Sequence, residues 1–148
     1  MQKNKDKHRK LGSQNLSQLI MLLGQLEKHP NTFGEAGPLT PSEIHTIDAI
    51  GEERGVLMSE LANRLRVTKG AVTQIIMRLE DKNLVKRAPN PSDSRSVIVT
   101  LTSKGKSAFR AHEKMHLDFY LGLSSQLDEQ EMEIFEKSIE KLCIYLRK

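Results

Sequence analysis

The 148-residue chain predicts a mainly α-helical fold with a small β-hairpin wing, a winged helix-turn-helix carried between terminal helices. Three observations predict it. Residues 59–65 and 68–80 each place apolar side chains at i, i+3 and i+4, the spacing of two short helices with a break between them. Two runs that alternate or run apolar with β-branched residues then flank a tip of Pro, Asn, Ser and Asp, which is hairpin chemistry. Both ends of the chain carry long apolar stripes at helical spacing.

From the N-terminus, Lys3, Lys5, Lys7, Arg9 and Lys10 stand with Asp6 as the only acid, a pattern that predicts a flexible basic arm. A phosphate contact and a merely solvated terminus are equally open for it. Leu16, Leu19, Ile20, Leu22, Leu23 and Leu26 make the first helix, which ends before His29-Pro30 because a residue preceding proline is pushed away from helical geometry. Residues 31–38 form a Gly- and Pro-rich loop. Thr40 then offers a cap, Pro41 a proline at the first helical position and Glu43 a carboxylate in the first turn. They open a second helix through Ile44, Ile47 and Ile50 that stops at Gly51 or Gly55.

Ser59 is the candidate cap of a third helix with Leu61, Ala62 and Leu65 on one face. After the break at Arg66-Val67, Thr68 caps a fourth, in which Val72, Ile75, Ile76 and Leu79 form the apolar stripe. Residues 84–87 and 96–101 read as strands and 88–95 as the tip between them. Residues 102–123 and 128–147 read as two long helices, the last opening with Asp128 as cap and Glu131 three residues on.

The fourth helix leaves Lys69, Thr73, Gln74 and Arg78 outside its apolar stripe. A helix fits the major groove of B-DNA, where Gln and Arg can bond a base edge twice and Thr offers a hydroxyl and a methyl. Gln74 and Arg78 are the candidates for base edges. Thr68, Thr73 and Lys69 lie beside them, and Lys69, Lys86 and Arg87 are candidates for phosphate, which sets affinity rather than sequence choice. Twenty-three Lys and Arg against nineteen Asp and Glu give a net charge of +4, a mild bias toward a polyanion.

On these residues a resemblance rests. Asp93-Ser94-Arg95, followed by Leu101-Thr102-Ser103-Lys104-Gly105, resembles the wing signature of MarR-family transcriptional regulators, and the likeness runs from the helix near Leu16 to the last helix. It implies that Arg95 reaches a minor groove and that Asp93 steadies the tip. It also implies one MarR-like domain, in which residues 40–102 form the DNA-binding lobe and residues 11–30 and 103–148 the dimerisation helices. The apolar faces of those helices independently favour burial against a second copy. A twofold dimer places two reading helices about 34 Å apart and demands a palindromic operator. The expected function is therefore a homodimeric repressor on double-stranded DNA, modulated by an effector where dimer and DNA-binding lobes join.

Two further resemblances concern that effector. His112 and His116 stand four apart, a metal-chelating spacing that needs ligands from other elements to complete a site. The chain resembles zinc-responsive MarR-family members, which implies Glu27, His45, His112 and His116 as ligands. It departs from them at Ile44, where those proteins carry a Glu. The string His45-Thr46-Ile47-Asp48-Ala49-Ile50-Gly51 equally resembles MarR-family repressors of fatty-acid synthesis, which respond to acyl chains on acyl carrier protein. That reading requires an apolar tunnel, with Leu23, Ile47, Met115 and Phe119 as its lining, although apolar residues at this spacing also describe an ordinary core. No cofactor is expected to be required. A small molecule, an acyl chain and zinc remain the effector candidates.

No stretch approaches the roughly 18 consecutive apolar residues of a membrane span, and the N-terminus lacks the apolar core of a signal peptide, so a cytoplasmic protein without membrane contact is expected. The single Cys143 excludes an internal disulfide, and its neighbours Ile139, Leu142 and Leu146 predict that it packs. Neither a Gly-rich phosphate loop nor a G-x-S-x-G elbow occurs, and no enzymatic activity is expected. His112-Glu113-Lys114-Met115-His116 does satisfy the H-E-x-x-H pattern of zinc hydrolases, which is the alternative from another class. A winged domain used only for protein contacts is the other.

Overall fold

The computed structural model describes residues 2–27 and 31–147; the side chains of Gln2 and Glu27 and the expected helix end at His29-Pro30 lie outside the described residues. The chain forms two compact units, Met1–Phe109 and Arg110–Lys148.

The first unit opens with helix α1, Gln2–Glu27. The basic run expected to be a flexible arm is therefore helical. No Pro or Gly interrupts residues 2–11, and Asp6 precedes Lys10 by four residues, the order that favours a helix. The apolar side chains from Leu11 to Leu26 on α1 are exposed. The segment expected to be a loop contains a two-stranded ribbon, β1 (Asn31–Thr32) and β2 (Pro38–Leu39), closed by a 3-10 turn at Gly34–Ala36. Phe33 and Leu39 turn inward from it and are buried.

Helix α2, Pro41–Ile50, starts as its residues dictate. Thr40 accepts the Glu43 backbone N–H, the Glu43 side chain accepts that of Thr40, and Pro41 occupies the first turn. Gly51 ends it. The next helix departs from expectation at its start. A short strand β3, Val56–Leu57, pairs with the wing and feeds directly into α3, Met58–Leu65, so Leu57 stands at the N-cap and Ser59 lies inside the first turn. The extended backbone of Leu57 meets the strand requirement and the cap requirement together, leaving Ser59 no capping role. Gly55 precedes this strand with φ of 75°, and a Cβ there would lie 2.6 Å from the Val99 carbonyl oxygen, so the close approach of β3 requires glycine.

Arg66 turns left-handed to end α3, and Thr68 caps α4, Lys69–Asp81, by accepting the Ala71 N–H at 3.1 Å. Val72, Ile75, Ile76 and Leu79 are buried, as their spacing predicts. Strands β4 (Val85–Asn90) and β5 (Asp93–Leu101) pair antiparallel, and with β3 make a sheet of order β3-β5-β4. The hairpin runs further than expected, since Asn90 pairs with Asp93 and the turn narrows to Pro91 and Ser92. The Asn90 side chain explains this: it accepts the Ser92 N–H and donates to Ser96 Oγ, satisfying turn and strand at once.

Helix α5, Ser103–Ser124, begins in the first unit. Thr102 Oγ1 accepts the Gly105 N–H and donates to the Asn83 carbonyl, tying the helix start to the end of α4. Gly105 sits so close to the Leu84 carbonyl that an added Cβ would lie 2.0 Å from its oxygen. The Thr-Ser-Lys-Gly string thus has a packing reason.

The second unit contains the rest of α5 and helix α6, Glu129–Leu146. Asp128 and Glu131 form the reciprocal cap their spacing predicts. Tyr120 on α5 donates its hydroxyl to the Glu136 carboxylate on α6. Ile134, Ile139, Leu142, Ile144 and Leu146 are exposed. Cys143 is exposed too, contrary to the expected packing, because Ile139, Leu142 and Leu146 beside it on α6 are themselves exposed.

Candidate nucleic-acid interface

Helix α4 buries one stripe, and the opposite side follows Gly70, Thr73, Gln74, Met77 and Asp81 at i+3 or i+4. Gln74 is exposed and Thr73 half-buried. The Thr73 hydroxyl donates back to the Lys69 carbonyl at 2.8 Å, which leaves its oxygen as an acceptor and its methyl as a contact. Lys69 is exposed in the first turn, where the N-terminal end of the helix dipole adds positive potential. Gly70 and Met77, 46% exposed, belong to this face and were not among the sequence candidates. A helical wheel finds Met77, because the apolar stripe already leaves it out.

Arg78 and Arg87 occupy the flanks of α4 rather than its outward centre. Arg78, 51% exposed, brings Nε to 3.8 Å from Glu43 Oε1 on α2. Arg87 on β4 holds Glu80 of α4 through both carboxylate oxygens, Nε at 3.0 Å and Nη2 at 2.8 Å. Its neighbour Lys86 on β4 is exposed. The supporting helix α3 is fastened as well: Arg64 donates to the Ala49 carbonyl on α2 and to Glu60.

At the wing, Arg95 is 94% exposed, and Asp93 Oδ1 accepts the Arg95 backbone N–H at 3.0 Å. A recess of about 260 Å³ opens between the starts of α3 and α4 and strand β5, lined by Ser59, Lys69, Arg95 and Ser96 among others. The fold therefore brings together Lys69 and Arg95, which are distant in sequence, and gives this side two exposed cations.

The other candidates lie on several elements. Glu27's side chain lies outside the described residues. His45 is exposed on α2. Within α5 the His112 and His116 rings stack at a tilt, centroids 4.1 Å apart, with His112 buried and His116 exposed. Among the described residues no group of three or more His, Cys, Asp or Glu could hold a metal ion. Of the expected tunnel lining, Ile47 is fully buried in the core of the first unit, whereas Leu23, Met115 and Phe119 are exposed.

Comparison with known proteins points the same way as this geometry. The MarR family model matches residues 39–97, which span α2 to the wing. The multiple antibiotic resistance protein MarR of Escherichia coli is 34% identical over 129 residues, 86% of this chain and 90% of that protein. The crystal structure of Streptococcus pneumoniae FabT in complex with DNA is similar with a TM-score of 0.71 and 27% identity, covering 97% of this chain and 96% of that one. A mutant MarR from E. coli complexed with operator DNA gives 0.65 and 28%, covering 86% and 93%. The wing, the capped helix α4 and this likeness over most of the chain together establish that the chain belongs to the MarR family of winged-helix transcriptional regulators.

Proposed function

We propose that the protein is a homodimeric repressor that inserts α4 into the major groove of a palindromic operator and lays the Arg95 wing along the neighbouring minor groove. The observation that carries this is the polar outward face of α4 beside the exposed Arg95. Two similar structures, FabT and MarR, are recorded in complex with DNA, which supports carrying that partner to this chain. Gln74 is the base reader, Lys69 and Lys86 are phosphate contacts, Thr68, Thr73 and Asp93 complete the surface, and Arg78 and Arg87 stand at its flanks. Exposed apolar side chains on α1 and on α6 support pairing with a second copy. With DNA as partner the protein acts in the cytoplasm, and among the described residues no helix is long and apolar enough to cross a membrane.

A duplex enriched from a random pool tests the reading by fluorescence anisotropy. Preferential binding over a scrambled duplex, with affinity falling steeply as salt rises, is expected. Equal, salt-insensitive binding to both defeats it. Sedimentation that shows only monomer at micromolar concentration removes the dimer.

The regulator reading is favoured over a zinc hydrolase because the MarR family model matches residues 39–97 and the similar FabT and MarR structures are complexes with DNA. For the effector, zinc held by Glu27, His45, His112 and His116 and an acyl chain against Leu23, Ile47, Met115 and Phe119 are both carried as proposals; no cofactor is needed for DNA binding itself. Titration calorimetry with zinc tests the first: an isotherm abolished by His112→Ala supports the metal, and no heat at all removes it.

A further inference from the structure

Glu43 reads from sequence as a helix-start residue, yet it does more than cap. Its side chain is 3% exposed, it accepts the Thr40 N–H at 3.1 Å, and the same Oε2 accepts Lys82 Nζ at 2.8 Å. Its other oxygen, Oε1, faces Arg78 Nε at 3.8 Å. Arg78 lies on α4 and Lys82 is its C-cap residue. One buried carboxylate on α2 therefore holds two cations on one flank of the reading helix, while Glu80 and Arg87 close the opposite flank.

The anchor is rigid. Glu43 cannot swing away without giving up the α2 cap, and the positive end of the α2 dipole favours its charge where it stands. Its partners differ from it: Lys82 is 39% and Arg78 51% exposed, so both reach solvent one flank away from Gln74.

We propose that Glu43 is a positioning and specificity-determining residue for DNA recognition. It sets the seating of α4 on α2 and withholds Arg78 and Lys82 from phosphates. This rests on the DNA-binding function proposed above. A cation engaged by a buried carboxylate releases no counterion from DNA, whereas a released cation adds affinity for any duplex, whatever its sequence. Glu43 thus suppresses sequence-independent binding and leaves discrimination to the outward face of α4.

The test is Glu43→Gln, which keeps an oxygen for the Thr40 N–H and removes the charge. Affinities for the enriched duplex and for random duplex are measured across a salt series, with the melting temperature alongside. The expected result is tighter binding to random duplex, a salt slope steeper by about one for each cation released, and a ratio of enriched to random affinity lowered about tenfold. A lower melting temperature with ratio and slope unchanged makes Glu43 a cap only and overturns the proposal. Lys82→Gln, on a half-exposed side chain, decides the matter should the Glu43→Gln variant not fold. Its salt slope is expected to match the wild type, and a slope reduced by about one makes Lys82 a phosphate contact and overturns the proposal. A wild-type chain that does not prefer the enriched duplex sinks the DNA-binding function itself, and that result is read before any variant is made.

Discussion

The Asp93 carboxylate accepts the backbone N–H of Arg95 at 3.0 Å and stands 3.6 Å from the same residue's Nε. The second contact is exposed and worth little on its own. The first fixes the backbone from which the Arg95 side chain departs.

Arg95→Ala is accordingly expected to weaken duplex binding by about 1 to 3 kcal/mol while the melting temperature stays within about a degree or two of wild type, since a side chain this exposed adds little to stability. Asp93→Ala should lose less, and Asp93→Asn, which keeps the acceptor for the Arg95 N–H, should lose least. Anisotropy titrations of the three give the order. Equal losses for the Ala and Asn forms would show that the charge of Asp93 matters and its acceptor does not.

Gln74 and Lys86 should part company. Gln74→Ala is expected to change sequence preference by about 1 to 3 kcal/mol per site, whereas Lys86→Ala weakens all duplexes alike and lowers the salt slope by about one. Arg87→Ala should lower that slope less than Lys86→Ala does, because Arg87 is engaged by Glu80 through both its oxygens. Parallel titrations on enriched and random duplex check all three.

Two glycines make opposite predictions. Gly105→Ala would drive a Cβ into the Leu84 carbonyl, backbone that cannot yield cheaply, and is expected to cost about 2 kcal/mol or more. Gly12 on α1 has nothing within 4 Å of an added Cβ, and Gly12→Ala should gain about 0.5 to 1 kcal/mol of helix stability. Urea denaturation compares them. A neutral Gly105→Ala would deny the close contact.

The bond to Glu136 comes first among the causes that raise the Tyr120 hydroxyl above its ordinary value, followed by desolvation and by the charge of Glu136. A pKa raised on folding means that the folded state holds the proton more tightly. The contribution is complete below the unfolded value of about 10 and is lost as pH rises through the folded one. Thermal melts from about pH 8 to 11 should show stability falling at the alkaline end, and Tyr120→Phe should reduce that fall. An unchanged alkaline slope in the Phe variant would remove the Tyr120–Glu136 bond as its source.

Much of the fold was legible because its signals are local. Thr40, Thr68 and Asp128 each cap the helix they precede, and Val72, Ile75, Ile76 and Leu79 declare their buried stripe by spacing alone. Ser59 misled because a good capping residue was outranked by strand pairing that no neighbouring residue reveals. The basic run near the N-terminus misled for a different reason. Charge density suggested an arm, while the absence of any breaker let α1 continue through it. At the candidate interface the polar side chains could be named from the helix period, but their engagements could not.

The amino-acid sequence alone showed where α2, α4 and α6 start, and that a hairpin with Asp93 and Arg95 follows the helix pair. Those outcomes depend on interactions within a turn or two of chain. It took the folded chain to show that β3 joins the sheet, that Gly105 must lack a side chain, that Arg87 answers Glu80, and that one buried Glu43 gathers Lys82 and Arg78. Each of these joins residues whose separation is set by the path of the chain through the core, and burial there strengthens a charge contact that spacing cannot disclose.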